Sequence, residues 1–299
     1  MDFKLSKLEL RALSVLCSGG LPAGELAVRL GASKSLVSRV VASLGNKGLV
    51  DLERQGTRKL VSLSPRQHAQ AFKRLRESRP QASLEDWLSG WALDVLVVMG
   101  WGNGASMERL VRECSCSKNT IGRIITALSG VGIVARRGGA WMVYDSLADD
   151  FANAFADYAR QEMQSSLDGH FTVLKRVRKH VVIRTDSKRI PGSFVLTGLA
   201  FFIEQGLEVI RADYSDYYFN LCSAAPVLSP EERFIHALLI STIIPVNKPL
   251  LAVVFRRWHF KLRELKRLAE EYAAYGEISK ELEQIRVAMD YHEKLRDYK

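Results

Sequence analysis

Cysteine is scarce in this chain: four among 299 residues, Cys17, Cys114, Cys116 and Cys222. Such a set is too sparse and scattered to frame a disulfide-stapled fold, and Cys17 lies in an apolar helical stretch, so a reducing cytoplasm is expected. Long hydrophobic runs are missing too. The most apolar late stretch, Ala237 to Phe255, is broken by Pro245, Asn247, Lys248 and Pro249, which predicts two buried elements and a turn, with no membrane span. The opening MDFKLSKLELRALSVLC alternates charge with apolar residues and has no signal-peptide core or small-residue cleavage site. No phosphate-binding glycine loop is present. Cys114-x-Cys116 has no companion Cys or His pair at zinc spacing, and His68, His170, His180, His236, His259 and His292 form no motif. Neither a metal nor a cofactor is expected. Acidic residues are in deficit, with 33 Asp and Glu against 43 Lys and Arg, a net charge of +10. That balance favours a polyanionic partner, although charge alone does not choose among DNA, RNA and an acidic membrane surface.

What the chain has is length, apolar content and an internal repeat. With 299 residues, 47% of them apolar, about three domains are expected, since single cores stop growing in this size range. An offset of 84, which carries Ser33-Lys34 onto Ser117-Lys118, also carries Leu26 onto Leu110 and Val37 onto Ile121. It carries Arg39 onto Arg123, Val40 onto Ile124, Leu44 onto Leu128, and Gly48-Leu49-Val50 onto Gly132-Ile133-Val134, without a gap. One structural unit is therefore used twice.

In the first copy Leu5, Leu8, Ala12 and Leu16 have helical spacing. Gly19-Gly20 then breaks the chain ahead of Pro22, expected to open a second helix that carries Leu26 and Leu30 inward and ends at Gly31. Ser33 is placed to cap a third helix. Leu36, Val37, Val40, Val41 and Leu44 form its apolar stripe, leaving Lys34, Ser35, Ser38, Arg39, Ala42 and Asn46 outward. Leu49 to Leu52 and Lys59 to Leu63 read as strands joined by the basic turn Glu53-Arg54-Gln55-Gly56-Thr57-Arg58. This order is that of a winged helix-turn-helix, and residues 5 to 77, with Lys47-Gly48-Leu49-Val50 at the join to the wing, resemble MarR-like transcription factors.

The second copy is expected to begin at Leu84, with a helix from Trp87 to Met99, a break at Gly102-Asn103-Gly104, and Ser106 capping Met107 to Arg112. Its reading helix starts at Ser117, with Lys118, Asn119, Arg123 and Thr126 outward. Arg136-Arg137-Gly138-Gly139 forms a shorter wing before Ala140 to Tyr144. An α-helix fits the major groove, where short or forked side chains read base edges and Arg to guanine is the commonest specific pair. Lys34, Ser35, Ser38, Arg39, Lys118, Asn119 and Arg123 are thus the candidate reading residues, and Arg54, Arg58, Lys59, Arg136 and Arg137 the wing contacts to backbone or minor groove. The bland alternative for any one of them is a solvated face. For the second copy, with its short wing and outward Gly122, the alternative is protein contact. The link Ser78 to Ser83 with Pro80 is too short to let two modules wander, and tethered modules gain avidity.

Beyond a connecting helix, Leu147 to Leu167, the texture changes. Strands are expected at His180 to Thr185, Leu207 to Ile210 and Tyr217 to Leu221. Helices are expected at Phe194 to Glu204, Ser229 to Ser241, Leu262 to Tyr275 and Ile278 to His292. Leu196-Thr197-Gly198-Leu199-Ala200, with Gly206-Leu207 after it, and Leu228-Ser229-Pro230-Glu231-Glu232-Arg233-Phe234-Ile235-His236-Ala237-Leu238 resemble the C-terminal domain of AbiEi-type antitoxins across about residues 170 to 299. That resemblance implies an autoregulating DNA binder paired with a nucleotidyltransferase toxin. Gly192-Ser193, Asp213 and Asp216 are the best candidates for a nucleotidyltransferase-like enzyme. However, Asp213-Tyr214-Ser215-Asp216 puts its carboxylates on opposite faces of a strand, so no catalytic residues are expected. The basic run Lys175-Arg176-Val177-Arg178-Lys179, with Arg184, Lys188 and Arg189, either extends a DNA surface, binds an acidic partner or solubilises. Ile278, Leu282, Ile285 and Met289 form either a coiled-coil seam for a homodimer or a face packed on its own domain.

The expected fold is mainly α with α+β elements. Winged helix-turn-helix domains at 1–78 and 84–146, a connecting helix at 147–168 and a C-terminal α/β regulatory or partner-binding domain at 169–299 make up the chain. The expected function is non-enzymatic: a cytoplasmic, sequence-specific, double-stranded DNA-binding transcriptional regulator. A toxin-neutralising antitoxin and a nucleotidyltransferase-like enzyme remain as alternatives.

Overall fold

A computed structural model describes residues 4–55, 58–100, 104–177, 179–208, 213–221, 227–244, 248–272 and 275–296. They belong to two compact units, Met1–Met163 and Gln164–Lys299. The expected turn residues Gly56-Thr57 and Gly102-Asn103 lie outside the described residues, as do Arg178, Ile210, Cys222, Pro245 and Asn247.

The first unit opens with α1 (Lys7–Leu16). Ser6 accepts from the Glu9 N–H at 3.2 Å while the Glu9 carboxylate accepts from the Ser6 N–H at 2.6 Å, a reciprocal cap that satisfies two orphan donors. Leu10, Leu13 and Leu16 are buried. Pro22 does not enter the second helix. Leu21–Pro22 form a short strand, β1, antiparallel to Leu60–Val61, and proline is tolerated there because β1 is an edge strand. Next come α2 (Ala23–Leu30), α3 (Lys34–Asn46), β2 (Val50–Gln55), β3 (Arg58–Leu63) and α4 (Gln67–Ser78), with sheet order β1-β3-β2. Gly31, at φ 61, ends α2 in the left-handed region, where a Cβ would be strained.

After α4 the chain forms α5 (Leu84–Trp87) and α6 (Ala92–Gly100). The single helix expected from Trp87 to Met99 is thus divided: Gly90 takes φ 69 and its N–H donates to the Leu5 carbonyl at 2.8 Å. Tertiary pairing overrides helical continuity here. The following elements are α7 (Met107–Cys114), α8 (Lys118–Gly130), β4 (Val134–Arg137), β5 (Ala140–Val143) and α9 (Ser146–Gln164). The bounds of α7 and α8 are those of α2 and α3 moved by the repeat offset. The isolated bridge Ala105↔Trp141 stands where β1 pairs with β3. Gly138 and Gly139, at φ 56 and 87, turn β4 into β5, the backbone a two-residue hairpin loop requires.

The two copies are packed together. Arg79 donates to the Val131 carbonyl at 3.1 Å and to Asp145 at 2.5 Å, and Lys7 pairs with Asp86 at 2.9 Å. The helix expected as a connector, α9, buries Phe151, Ala152, Phe155, Ala156 and Ala159 and sets Phe151 against Phe72 of α4. His68 of α4 stacks on Tyr158 with centroids 4.2 Å apart.

The second unit holds β6 (Phe171–Val177), β7 (His180–Thr185), β8 (Val195–Leu196), α10 (Gly198–Glu204), β9 (Ser215–Asn220), α11 (Pro230–Ile243), α12 (Lys248–Arg257), α13 (Leu262–Glu271) and α14 (Tyr275–Arg296). The sheet runs β6-β7-β9-β8, antiparallel at every pairing. That makes the unit α+β and corrects the expected α/β class, which needs parallel strands joined by helical crossovers. Val195–Leu196, expected as the start of a helix, is a strand, and Leu207 lies in none. α11 is buried from Phe234 to Ser241: Ile240 joins the sheet-side cluster, and Phe234 and Leu238 join the helical core with Ile278, Leu282 and Ile285 of α14. These α14 residues therefore pack on their own unit. Met289, the last residue of the candidate seam, has a side chain outside the described residues.

Candidate nucleic-acid interface

α3 is fixed by its ends. Ser33 accepts from the Leu36 N–H at 3.3 Å, and the Leu49 N–H returns to the Leu44 carbonyl at 3.0 Å past Gly48, which takes φ 65. Val37, Val40, Val41 and Leu44 are buried and Lys34, Ser35, Ser38, Arg39, Ala42 and Asn46 are exposed. Leu36, expected in the apolar stripe, is 36% exposed. It sits one residue before Val37, about 100° around the helix from the buried seam.

α8 repeats these features. Ser117 accepts from the Thr120 N–H at 3.2 Å and the Ile133 N–H reaches the Leu128 carbonyl at 2.9 Å past Gly132, at φ 74. Lys118, Asn119, Arg123 and Thr126 are exposed, but the Thr126 hydroxyl is committed to the Gly122 carbonyl at 2.9 Å. Thr120, absent from the candidate residues, stands on the first turn, 2.9 Å from the Ser117 hydroxyl. The signal for it was its place one turn past the cap. Glu108 is held below the usual carboxylate range by its own amide and by Ser106, with a smaller contribution from the Lys118 charge.

In the first wing Arg54 and Lys59 are both exposed and directly opposite across the strands. Like charges so placed repel, and an anion between them would relieve the repulsion. Arg58 begins β3, and its side chain lies outside the described residues. Arg136 and Arg137 are exposed on β4. The chain pairs many of its other arginines, such as Arg29 with Glu25, Arg79 with Asp145, Arg109 with Glu113 and Arg184 with Asp216. In contrast, the side chains of Lys34, Arg39, Arg54, Lys59, Arg123, Arg136 and Arg137 enter no ion pair among the described residues.

Residues 3–59 match the MarR family. The match ends on the wing and covers under a quarter of the chain. It joins the helix order and the β1-β3-β2 sheet in describing an N-terminal winged-helix domain similar to DNA-binding transcriptional regulators. No curated protein matches the chain.

Other candidates fare differently. Asp216 is buried and gripped by Arg184 through Nε at 2.7 Å and Nη2 at 3.1 Å, whereas Asp213 is exposed, three residues earlier and ahead of β9. Lys179 is only 2% exposed; with Arg184 neutralised, the basic run is not one free cationic surface. Among the described residues no group of three or more His, Cys, Asp or Glu is placed to hold a metal, and no helix is long and apolar enough to cross a membrane. Cys114 is buried, Cys116 half-buried, and burial pushes the Cys17 thiol up to about 11.

Proposed function

We propose that this protein is a sequence-specific, double-stranded DNA-binding transcriptional regulator without enzymatic activity, in which both repeat copies are winged helices. The observation that carries this reading is the set of exposed cations on α3, α8 and both wings that have no acidic partner among the described residues, in a chain that pairs so many others. α3 and α8 enter successive major grooves, where Arg39 and Arg123 read bases and Lys34, Ser35, Ser38, Lys118 and Asn119 reach bases or phosphates. Arg54, Arg58, Lys59, Arg136 and Arg137 lie along the backbone. Two tethered modules raise each other's local concentration, so one chain holds a composite site. Residues 169–299 supply regulation, through a partner such as a toxin or through self-association.

The test is selection from a random duplex library at near-physiological salt, with wild type beside Arg39→Ala and Arg123→Ala. An enriched motif that loses information at one position in each variant is expected, since a bidentate arginine–guanine contact contributes about 1–3 kcal/mol of discrimination. Arg54→Ala should weaken all duplexes evenly and lower the salt dependence by about one phosphate contact. Absence of any motif, with binding abolished by modest salt, overturns the reading.

A further inference from the structure

A second basic site lies away from the reading faces, where the two copies of the first unit join. A cleft of about 260 Å³ is bounded by α1, the end of α2, the end of α4 and the segment running from Pro80 into α5. Arg11, Arg29 and Arg76 line it, with Ser14, Gln81 and Glu85.

The charges in this cleft do not cancel. Arg29 is paired with Glu25 at 2.8 Å, whereas Arg11 and Arg76 enter no ion pair among the described residues. The Arg76 Nη1 group caps the Arg79 and Ala82 carbonyls at 3.2 and 2.7 Å, which fixes the guanidinium and leaves Nη2 and Nε to donate elsewhere. Arg11 makes one long contact, 3.4 Å to the Leu30 carbonyl. Forked guanidinium donors of this kind match phosphate oxygens. The Ser14 hydroxyl lies buried with no hydrogen-bond partner among the described residues, and the Glu85 carboxylate on the same wall accepts hydrogen bonds only. A ligand with an anionic end and hydroxyl groups satisfies both. The volume falls just under the roughly 300–1,000 Å³ usual for drug-sized ligands, and the lining is largely polar, so a compact, hydrated molecule fits better than an aromatic one.

We propose that this cleft binds a small phosphate monoester with a polyhydroxylated body, of the sugar-phosphate class. The phosphate is held by Arg11, Arg29 and Arg76, and the hydroxyl groups face Ser14, Gln81 and Glu85. The occupant touches α2, which leads into the first reading helix, and the segment that leads into the second copy. Binding is measured without DNA, so the proposal stands or falls separately from the DNA-binding reading.

The experiment is calorimetric titration of the full chain with glucose 6-phosphate, inorganic phosphate and glucose at near-physiological potassium chloride. Binding of glucose 6-phosphate, weaker binding of phosphate and none of glucose are expected. Arg11→Gln, whose native side chain has only the long contact, should weaken glucose 6-phosphate about tenfold or more, the loss of a charge-assisted fork. Arg39→Ala should bind as wild type, and thermal melts of both variants confirm folding. Failure of wild type to bind, equal binding by Arg11→Gln, or equal loss in Arg39→Ala overturns the site. Reduced duplex affinity in Arg11→Gln with no sugar-phosphate binding assigns the arginines to the DNA backbone and also overturns it.

Discussion

The two copies of the repeat use one backbone plan on different interiors. In the first, Glu9 and Lys47 form a buried ion pair at 2.7 Å, with the Ser43 hydroxyl donating to Glu9 at 2.7 Å and the Lys47 ammonium donating to the Lys4 carbonyl at 2.6 Å. Moved by the repeat offset, Glu9, Ser43 and Lys47 fall on Leu93, Ala127 and Val131, so the second copy fills the same places with apolar groups. The left-handed residue is Gly31 ahead of α3 and Ser115, at φ 52, ahead of α8. The frame is thus set by caps, left-handed turns and the period of the apolar stripe, while the chemistry under it is free to vary.

Breaking the ion pair should give the largest effect. Lys47→Met leaves the Glu9 carboxylate buried without its counter-charge and should cost about 3–5 kcal/mol in denaturant unfolding. Installing the second copy's residues together, Glu9→Leu with Ser43→Ala and Lys47→Val, should recover most of that loss. A triple variant as unstable as the single one would show that the two interiors are not interchangeable.

Gly48 and Gly132 sharpen the comparison. A Cβ on Gly48 would come within 2.4 Å of the Tyr158 ring, whereas one on Gly132 meets nothing within 4 Å. Both take positive φ, so Gly132→Ala should cost about 1–2 kcal/mol from backbone strain alone. Gly48→Ala should cost clearly more, because Tyr158 is held by its stack on His68 and by the Arg66 guanidinium over its ring. Equal melting shifts for the two would mean that Tyr158 moves freely.

A pH test follows from His68, the one histidine in the first unit's sequence. Burial pushes it down to about 4, against the Lys47 carbonyl that accepts from its Nε2–H at 3.0 Å. The unfolded chain binds a proton near 6.5 and the folded one does not until about 4. Stability is therefore full above 6.5 and falls as pH drops through that window, by up to roughly 3 kcal/mol. His68→Gln should flatten this part of the profile. Glu9, whose burial is outweighed by Lys47, Ser6 and Ser43, is held below its ordinary range and adds a loss at still lower pH. The smallest effect is expected at Ser115→Gly, which should stabilise the second copy by about 1 kcal/mol through relief of left-handed strain.

How much of this was legible in the sequence follows from the distance over which each signal acts. Ser33 and Ser117 cap helices by reaching three residues ahead, and Gly31, Gly48 and Gly132 act on their own backbone, so those boundaries could be read directly. β1 could not, because two residues become a strand only by pairing with Val61 and Leu60. β6 carries Lys175 and Arg176 and reads as a charged surface until β7 is laid beside it. Of the candidate interface, the exposed faces of α3 and α8 were legible from helical period. The cross-strand opposition of Arg54 and Lys59 needed the hairpin register, and the arginines of the cleft come from three helices.

Tyr158 closing over Gly48 has a consequence for how the repeat can exist. A helix that trails the second copy seals the floor of the first, so a fragment ending at Ser78 would expose Gly48, His68 and Phe72 to water. Such a fragment is expected to be less stable than residues 1–163 together. Residues 1–163 should melt in a single cooperative transition, and the repetition seen in the sequence has become, in the folded protein, an indivisible whole.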